Sequence, residues 1–163
     1  MSRQVLDTCC GSRMFWFDKE DPRALFIDER REEHTLCDGR GLSIAPDMLA
    51  DFTDMPFQDE SFSLVVFDPP HLIRAGRNSW MFKKYGKLTG AWKQDIRAGF
   101  RECFRVLKAS GTLVFKWNAI QLPVSQILPL AEVRPLFGNR CGKSAKTHWI
   151  VFIKPACTDD KQA

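Results

Sequence analysis

Leu64-Val65-Val66-Phe67-Asp68-Pro69-Pro70-His71 is the stretch from which the rest of the chain is read. Four consecutive apolar residues, β-branched and aromatic, match a parallel strand buried on both faces. Proline cannot donate to a ladder, so the strand has to stop at Asp68. In an open α/β sheet, ligands collect beyond the carboxyl ends of the strands, where Asp68 and the two prolines would fall. Pro69 and Pro70 have a fixed φ and no N–H, so their carbonyls are rigidly presented acceptors. A carboxylate beside a rigid carbonyl suits one task well, accepting both hydrogen bonds of an NH2 group. Taken alone, the stretch reads equally as a strand end running into a polyproline turn. Its neighbours decide.

Upstream, residues 4–10 predict a buried first strand ending at Gly11. Ser12 caps a short predicted helix that carries Met14, Phe15 and Trp16 and closes before Pro22. Residues 24–28 form a second predicted strand, and Asp38-Gly39 is a turn signal that closes a small hairpin in the charged stretch after it. Met48-Leu49-Ala50-Asp51 is a third, short strand. Downstream, residues 72–90 show no clear period, whereas Trp92, Ile96, Phe100, Cys103, Phe104 and Leu107 share one helical face. Gly111 is expected to end that helix. Residues 112–117 read as the next strand, the apolar stretch between Pro123 and Pro129 as helical, and residues 132–137 with 148–153 as a terminal pair. Strands alternate with helices, so the expected fold is α/β, a Rossmann-like doubly wound sheet, mostly parallel with an antiparallel terminal hairpin. It occupies residues 1–155 as one domain, with 156–163 as a flexible tail.

Composition narrows the class. With 163 residues, 44% hydrophobic and 27% charged, the chain is an ordinary globular domain with material for a real core. No apolar run approaches the ~18 residues of a membrane span, and no signal peptide opens the sequence, so a cytoplasmic protein without membrane association is expected. Six scattered cysteines make no disulfide framework and read as reduced thiols. His34 and Cys37 have no second pair at ligand spacing, so no metal is expected. Net charge is +4, but seven cations stand against Asp95 alone between Arg74 and Arg97. A basic segment on a slightly acidic body points to a polyanionic partner. Trp80, Phe82 and Tyr85 interleave with these cations, the pattern of a base-stacking surface.

Asp7, Asp28, Asp51 and Asp68 all fall at the carboxyl ends of predicted strands. Acids there can hold ribose hydroxyls and amino groups of a nucleoside. Gly11 stands alone, without Gly-x-Gly-x-x-Gly, so a dinucleotide is not expected. Residues 138–144 look like a phosphate loop, but only three residues separate the glycines and a strand follows; a hairpin loop is the better reading. Lys116-Trp117-Asn118 ends the strand predicted beside the central one, which is substrate-side territory.

These motifs together resemble class I S-adenosylmethionine-dependent methyltransferases. Val5-Leu6-Asp7-Thr8-Cys9-Cys10-Gly11 is similar to the first motif of that family, and Asp28 matches its ribose-binding acid. The stretch from Ala50 to Phe57, running into Asp59 to Phe62, is similar to the adenine-binding stretch. Asp51 would take the adenine amino group and Phe52 would lie at the ring. Asp68-Pro69-Pro70-His71 resembles the Asp/Asn-Pro-Pro-aromatic motif of the amino-group nucleic-acid methyltransferases. The resemblance runs from Val5 to about Trp117. It implies S-adenosyl-L-methionine as cofactor, held by Asp7, Cys9, Gly11, Asp28, Asp51, Phe52 and Asp68. Asp68, Pro69, Pro70 and His71 are the implied catalytic residues.

The substrate implied is an exocyclic amino group of a base in DNA or RNA, adenine N6 first. The nucleic acid would be gripped by Arg74, Arg77, Trp80, Lys83, Lys84 and Lys87. Alternatives are guanine or cytosine in RNA, a protein glutamine, or a non-catalytic, nucleic-acid-binding subunit. Such an amine is a poor nucleophile because its lone pair is delocalised into the ring. Accepting both N–H bonds favours the sp3 geometry that frees it, so catalysis would be positioning plus electrostatics. Methylation at C5 of a pyrimidine would need a cysteine nucleophile, typically after proline, and no Pro-Cys pair occurs. The chain departs from the family at His71, where a larger aromatic is usual, and at Ser12-Arg13, where a second glycine is common. The span from Asp28 to Asp51 is short, so the helix between those strands is expected to be shortened or lost.

Overall fold

A computed structural model describes residues 3–140 and 146–156. The central strand is Phe62–Phe67, and it sits mid-sheet as its apolar run requires. In chain order the strands are β1 (Val5–Asp7), β2 (Ala24–Asp28), β3 (Glu32–Thr35), β4 (Gly41–Ile44), β5 (Met48–Leu49), β6 (Phe62–Phe67), β7 (Leu107–Asn118), β8 (Phe137–Arg140) and β9 (Thr147–Ile153). Seven of them form one sheet in the order β5-β2-β1-β6-β7-β9-β8. β1 pairs in parallel with β2 and β6, and β6 with β7. β9 runs antiparallel to both β7 and β8. This is the expected mostly parallel, doubly wound sheet with its antiparallel terminal pair.

One face of the sheet carries the main core. Helix α2 (Trp92–Val106) buries Ile96, Gly99, Phe100, Cys103 and Val106, a stripe at spacings of three and four. Phe100 meets Phe67 of β6 at 5.3 Å, Phe115 of β7 at 4.9 Å and Phe152 of β9 at 5.9 Å between ring centroids. Burying such a ring stabilises by about 1.5–3 kcal/mol. The helix lies so close that a Cβ on Gly99 would stand 2.6 Å from the Phe67 ring and 2.7 Å from that of Phe52. Arg105 at its last turn donates to the carbonyls of Met55 and Phe57, and Glu102 accepts from the Met55 N–H. These bonds hold the loop after β5, and with it Phe52, against the core.

The opposite face differs from the expectation. No helix follows Ser12; the described backbone turns repeatedly up to Ala24. Gly11 and Arg13 have φ of 50° and 54°, left-handed values that a right-handed helix cannot contain. Arg13 instead donates to the carbonyls of Lys19 and Ala45 and pairs with Asp47. Between β2 and β5 the hairpin β3–β4 replaces a helix, turning at Asp38-Gly39 as read from the sequence.

Three further boundaries move. α2 stops at Val106, not at Gly111, because Leu107 is already extended and pairs with Phe62. Gly111 belongs to an irregularity inside β7: Ser110 has φ of 60°, and a Cβ on Gly111 would come 2.8 Å from the Lys108 carbonyl oxygen. The stretch expected to have no period contains a short helix, α1 (Trp80–Tyr85), capped by Ser79, which accepts from the Phe82 N–H. The terminal strand begins at Phe137 rather than Glu132, since Glu132 is left-handed and Pro135 follows. The Pro123–Pro129 stretch is helical in part, as α3 (Val124–Ile127) running into a 3-10 turn. Residues 138–140 of the phosphate-loop lookalike lie in β8; its remainder, and nearly all of the predicted tail, fall outside the described residues. Among the described residues, no helix is long and apolar enough to cross a membrane.

Candidate functional site

The carboxyl ends of β1, β2, β6 and β7 meet at one cavity. Thr8 opens the turn after β1 and ties it to β6, donating its N–H and its hydroxyl to the Val66 carbonyl at 3.0 and 3.1 Å. The Gly11 N–H then donates to Asp28 Oδ2 at 2.9 Å, so the same turn is fastened to the end of β2. Asp28 Oδ1 accepts from the Arg30 N–H at 3.0 Å. Arg30 reaches on to the Lys83 carbonyl at 3.2 Å, which draws α1 over the cavity. On the far side, Lys116 of β7 donates from Nζ to Asp68 Oδ2 at 2.6 Å.

Of the residues singled out in the sequence, Cys9, Gly11, Asp28, Phe52, Asp68, Pro69, Pro70, His71 and Lys84 line this cavity together. Asp51 does not. It is exposed in an adjoining groove that shares Glu29, Phe52 and Pro70 with the cavity and also holds Lys87. There its Oδ1 accepts from the Thr53 N–H and hydroxyl. Asp7 lies beneath the cavity, fully buried, with one oxygen taken by the Trp16 indole N–H at 2.7 Å and the other by the Cys9 N–H at 3.3 Å. Arg74 and Arg77 are exposed and outside the cavity; Gln121 pins the loop at Arg74 by accepting from the N–H groups of Ile73 and Arg74. Trp80 and Lys83 lie on α1, with Trp80 48% exposed.

Burial sets the electrostatics. It pushes the Asp7 carboxyl up to about 7, against the pull of the Trp16 and Cys9 hydrogen bonds and with the help of the charges on Asp68 and Asp28. Burial also raises Asp68, and the Lys116 ammonium opposes that rise. His71 is pushed down to about 4 by burial and by the Lys116 charge, so it is neutral at physiological pH. The Cys10 thiol is driven up to about 12 by burial, and Cys9 rises for the same reason, so neither is a thiolate nucleophile. No group of three metal-ligating side chains converges among the described residues.

Two lining residues carry more than the sequence motifs suggest. Tyr85, the one tyrosine of the chain, stands with its ring 5.1 Å from that of buried His71. Lys84 Nζ lies 5.3 Å over the Tyr85 ring. Position 71 therefore keeps an aromatic neighbour although it is histidine. No spacing rule links Tyr85 to the Asp-Pro-Pro stretch; its interleaving with cations was the one available signal. Lys116 stands out in the sequence by its place at a strand end, but its pairing with Asp68 is a tertiary fact.

No family model matches the chain, and no curated protein matches its sequence. Solved structures do match. A TehB-like SAM-dependent methyltransferase from Corynebacterium glutamicum aligns with a TM-score of 0.57 at 17% identity, over 94% of this chain and 80% of its own. The N-methyltransferase NodS from Bradyrhizobium japonicum aligns at 0.56 and 14% identity, over 93% and 85%. A SAM-dependent methyltransferase from Methanosarcina mazei aligns at 0.55 and 11% identity, over 93% and 92%. At these identities the likeness establishes the fold, a Rossmann-like sheet shared with SAM-dependent methyltransferases.

Proposed function

We propose that the chain is an S-adenosylmethionine-dependent N-methyltransferase acting on an exocyclic amino group of a nucleic-acid base, adenine N6 first. The observation that carries this reading is the meeting of Asp68-Pro69-Pro70 with Asp28 and the Thr8–Ser12 turn in one cavity, under a basic helix. The donor set fits the cofactor. Asp28 and Asp68 line the cavity, an acidic floor for a ligand with positive sulfonium and ammonium groups. Phe52 and Pro70 give an apolar wall shared with the groove where Asp51 stands, suited to a flat purine.

Bound there, S-adenosylmethionine supplies a methyl group activated by its sulfonium. The rest is work for the chain. Asp68 and the rigid Pro69 carbonyl accept the two N–H bonds of the incoming amine, favouring a tetrahedral nitrogen with its lone pair free. Neutral His71 places no competing positive charge against the amine. Tyr85 offers a π face to the base, and Lys84, with Lys83 and Lys87 nearby in sequence, offers charge to the phosphates. Flipping a base from a duplex costs a few kcal/mol, and the Asp-Pro-Pro loop has no large aromatic of its own, so unpaired target is preferred.

Titration calorimetry with S-adenosylmethionine tests the cofactor half. The wild type is expected to bind without added metal, and Asp51→Ala to weaken binding by roughly 1.5–3 kcal/mol, one charged hydrogen bond. Absence of binding by the wild type would leave the reading without its cofactor.

A further inference from the structure

We propose that Lys116 is a positioning residue for Asp68: it clamps the Oδ2 oxygen and leaves Oδ1 as the acceptor that the substrate amine meets beside the Pro69 carbonyl. The inference rests on the amino-methylating reading of the cavity and deepens it. Lys116 lies on β7 and Asp68 just past the end of its parallel neighbour β6, and the 2.6 Å bond takes one carboxylate oxygen only. Among the described residues, Oδ1 receives no hydrogen bond.

A lysine is a poor clamp when its four-carbon stem is free, but this one is caged. Nζ lies 5.2 Å over the Phe15 ring, from the turn after β1, and 5.7 Å over the Trp149 ring, its cross-strand partner on β9. Those two rings meet edge to face at 5.4 Å. Two π faces and a carboxylate hold the ammonium in one place. The orientation of Asp68 is therefore fixed before any substrate arrives, which is what electrostatic preorganisation requires.

The charge matters as much as the contact. Asp68 is pressed towards its neutral form by burial, and the Lys116 ammonium opposes that pressure; beneath it, Asp7 feels the charges of both Asp68 and Asp28. Cys9 from the β1 turn and His71 from its own loop face it as neutral groups; Glu29 and Arg30 beyond β2, and Lys84 and Tyr85 from α1, line the same cavity. Lys116 is the cation in contact with Asp68. A protonated Asp68 would present a donor where the amine needs an acceptor.

The test is a pH titration of the Asp68 side-chain carboxyl by 13C NMR on the full chain. Wild type and Lys116→Arg are compared with two uncharged variants, Lys116→Met and Lys116→Gln. Gln keeps an N–H donor and serves if Met does not fold. Asp68 is expected ionised at pH 7 in wild type and K116R, with its midpoint moved upward in the uncharged variants. On a single-stranded oligonucleotide, the uncharged variants should lose about 10²–10³-fold in kcat at pH 7. They should recover part of that loss as pH rises, while donor affinity measured by calorimetry changes little. K116R should keep the wild-type pH profile. Methylation by the wild type together with an unmoved Asp68 titration overturns the role of Lys116 alone. No donor binding by any variant overturns the reading of the cavity beneath it.

Discussion

The two faces of the sheet are built by different means. On the α2 face, Phe67, Phe100, Phe115, Trp117 and Phe152 interlock in one large core. On the other, Cys10, Ala24 and Phe26 form a small buried cluster, and what packs on it is Val5 and, from the turns after β1, Trp16 rather than a helix. Arg13 lies 3.9 Å over the Phe26 ring, and Trp16 meets that ring edge-on at 4.8 Å. At the rim of the sheet, Phe137 and Ile153 stay 64% and 42% exposed. The lesson is a division of labour. The α2 face supplies stability by apolar volume, while the thin face consists of polar ties that end at the cavity: Trp16 on Asp7, Gly11 on Asp28, Phe15 against Lys116.

Removing a ring should separate the two faces most clearly. Phe100→Ala is expected to cost about 3–5 kcal/mol in denaturant unfolding, the range for a buried aromatic with no means of collapse. Phe26→Ala should cost less, because solvent borders its thin cover. Equal losses would end the contrast.

Asp7 gives the next largest effect, and it depends on pH. Its carboxyl is raised from 3.8 to about 7 in the fold, so between those values the native state holds a proton that the unfolded chain has lost. Stability from this group therefore falls as pH rises through that window. Asp7→Asn, which keeps an acceptor for the Trp16 indole, should raise stability at pH 8 by on the order of 2–3 kcal/mol. The gain should fade towards pH 5. A pH-independent difference in melting temperature would mean that Asp7 is not held near neutrality.

Gly99→Ala is the smallest and the most local. The added methyl meets Phe67 and Phe52 together, an overpacking that costs about 1–3 kcal/mol. Since Phe52 also lines the cavity, donor affinity should drop in the same variant. Lost stability with unchanged affinity would separate the core from the site.

The same division explains what the sequence could and could not tell. Residues 64–70 were legible because proline punctuation and an apolar run are local signals, and so was Asp38-Gly39. The α2 stripe was legible because burial on one face imposes a 3.6 period. Ser12 misled because a cap residue means little where Gly11 and Arg13 take left-handed φ. Gly111 misled because its small size serves a close backbone approach inside β7, not a helix end. Within the cavity, the acids were visible as strand ends, but depth was not. Nothing local distinguishes Asp7, buried under Trp16, from Asp51, exposed in the next groove. Lys116 and Tyr85 touch partners distant in sequence, Asp68 and His71 among them, and contacts of that kind have no period or spacing to read.

Asp68 is proposed to orient an amine for methylation. Nucleoside mass spectrometry after incubating the protein with S-adenosylmethionine and single-stranded DNA or RNA tests it most directly, with Asp68→Asn and Asp68→Ala alongside. N6-methyladenine is expected with the wild type, with rates falling by about 10²–10³ when the oriented acceptor is lost and Asn retaining more than Ala. Full methylation by a folded Asp68→Ala variant, or no methylated base with the wild type, would contradict the account.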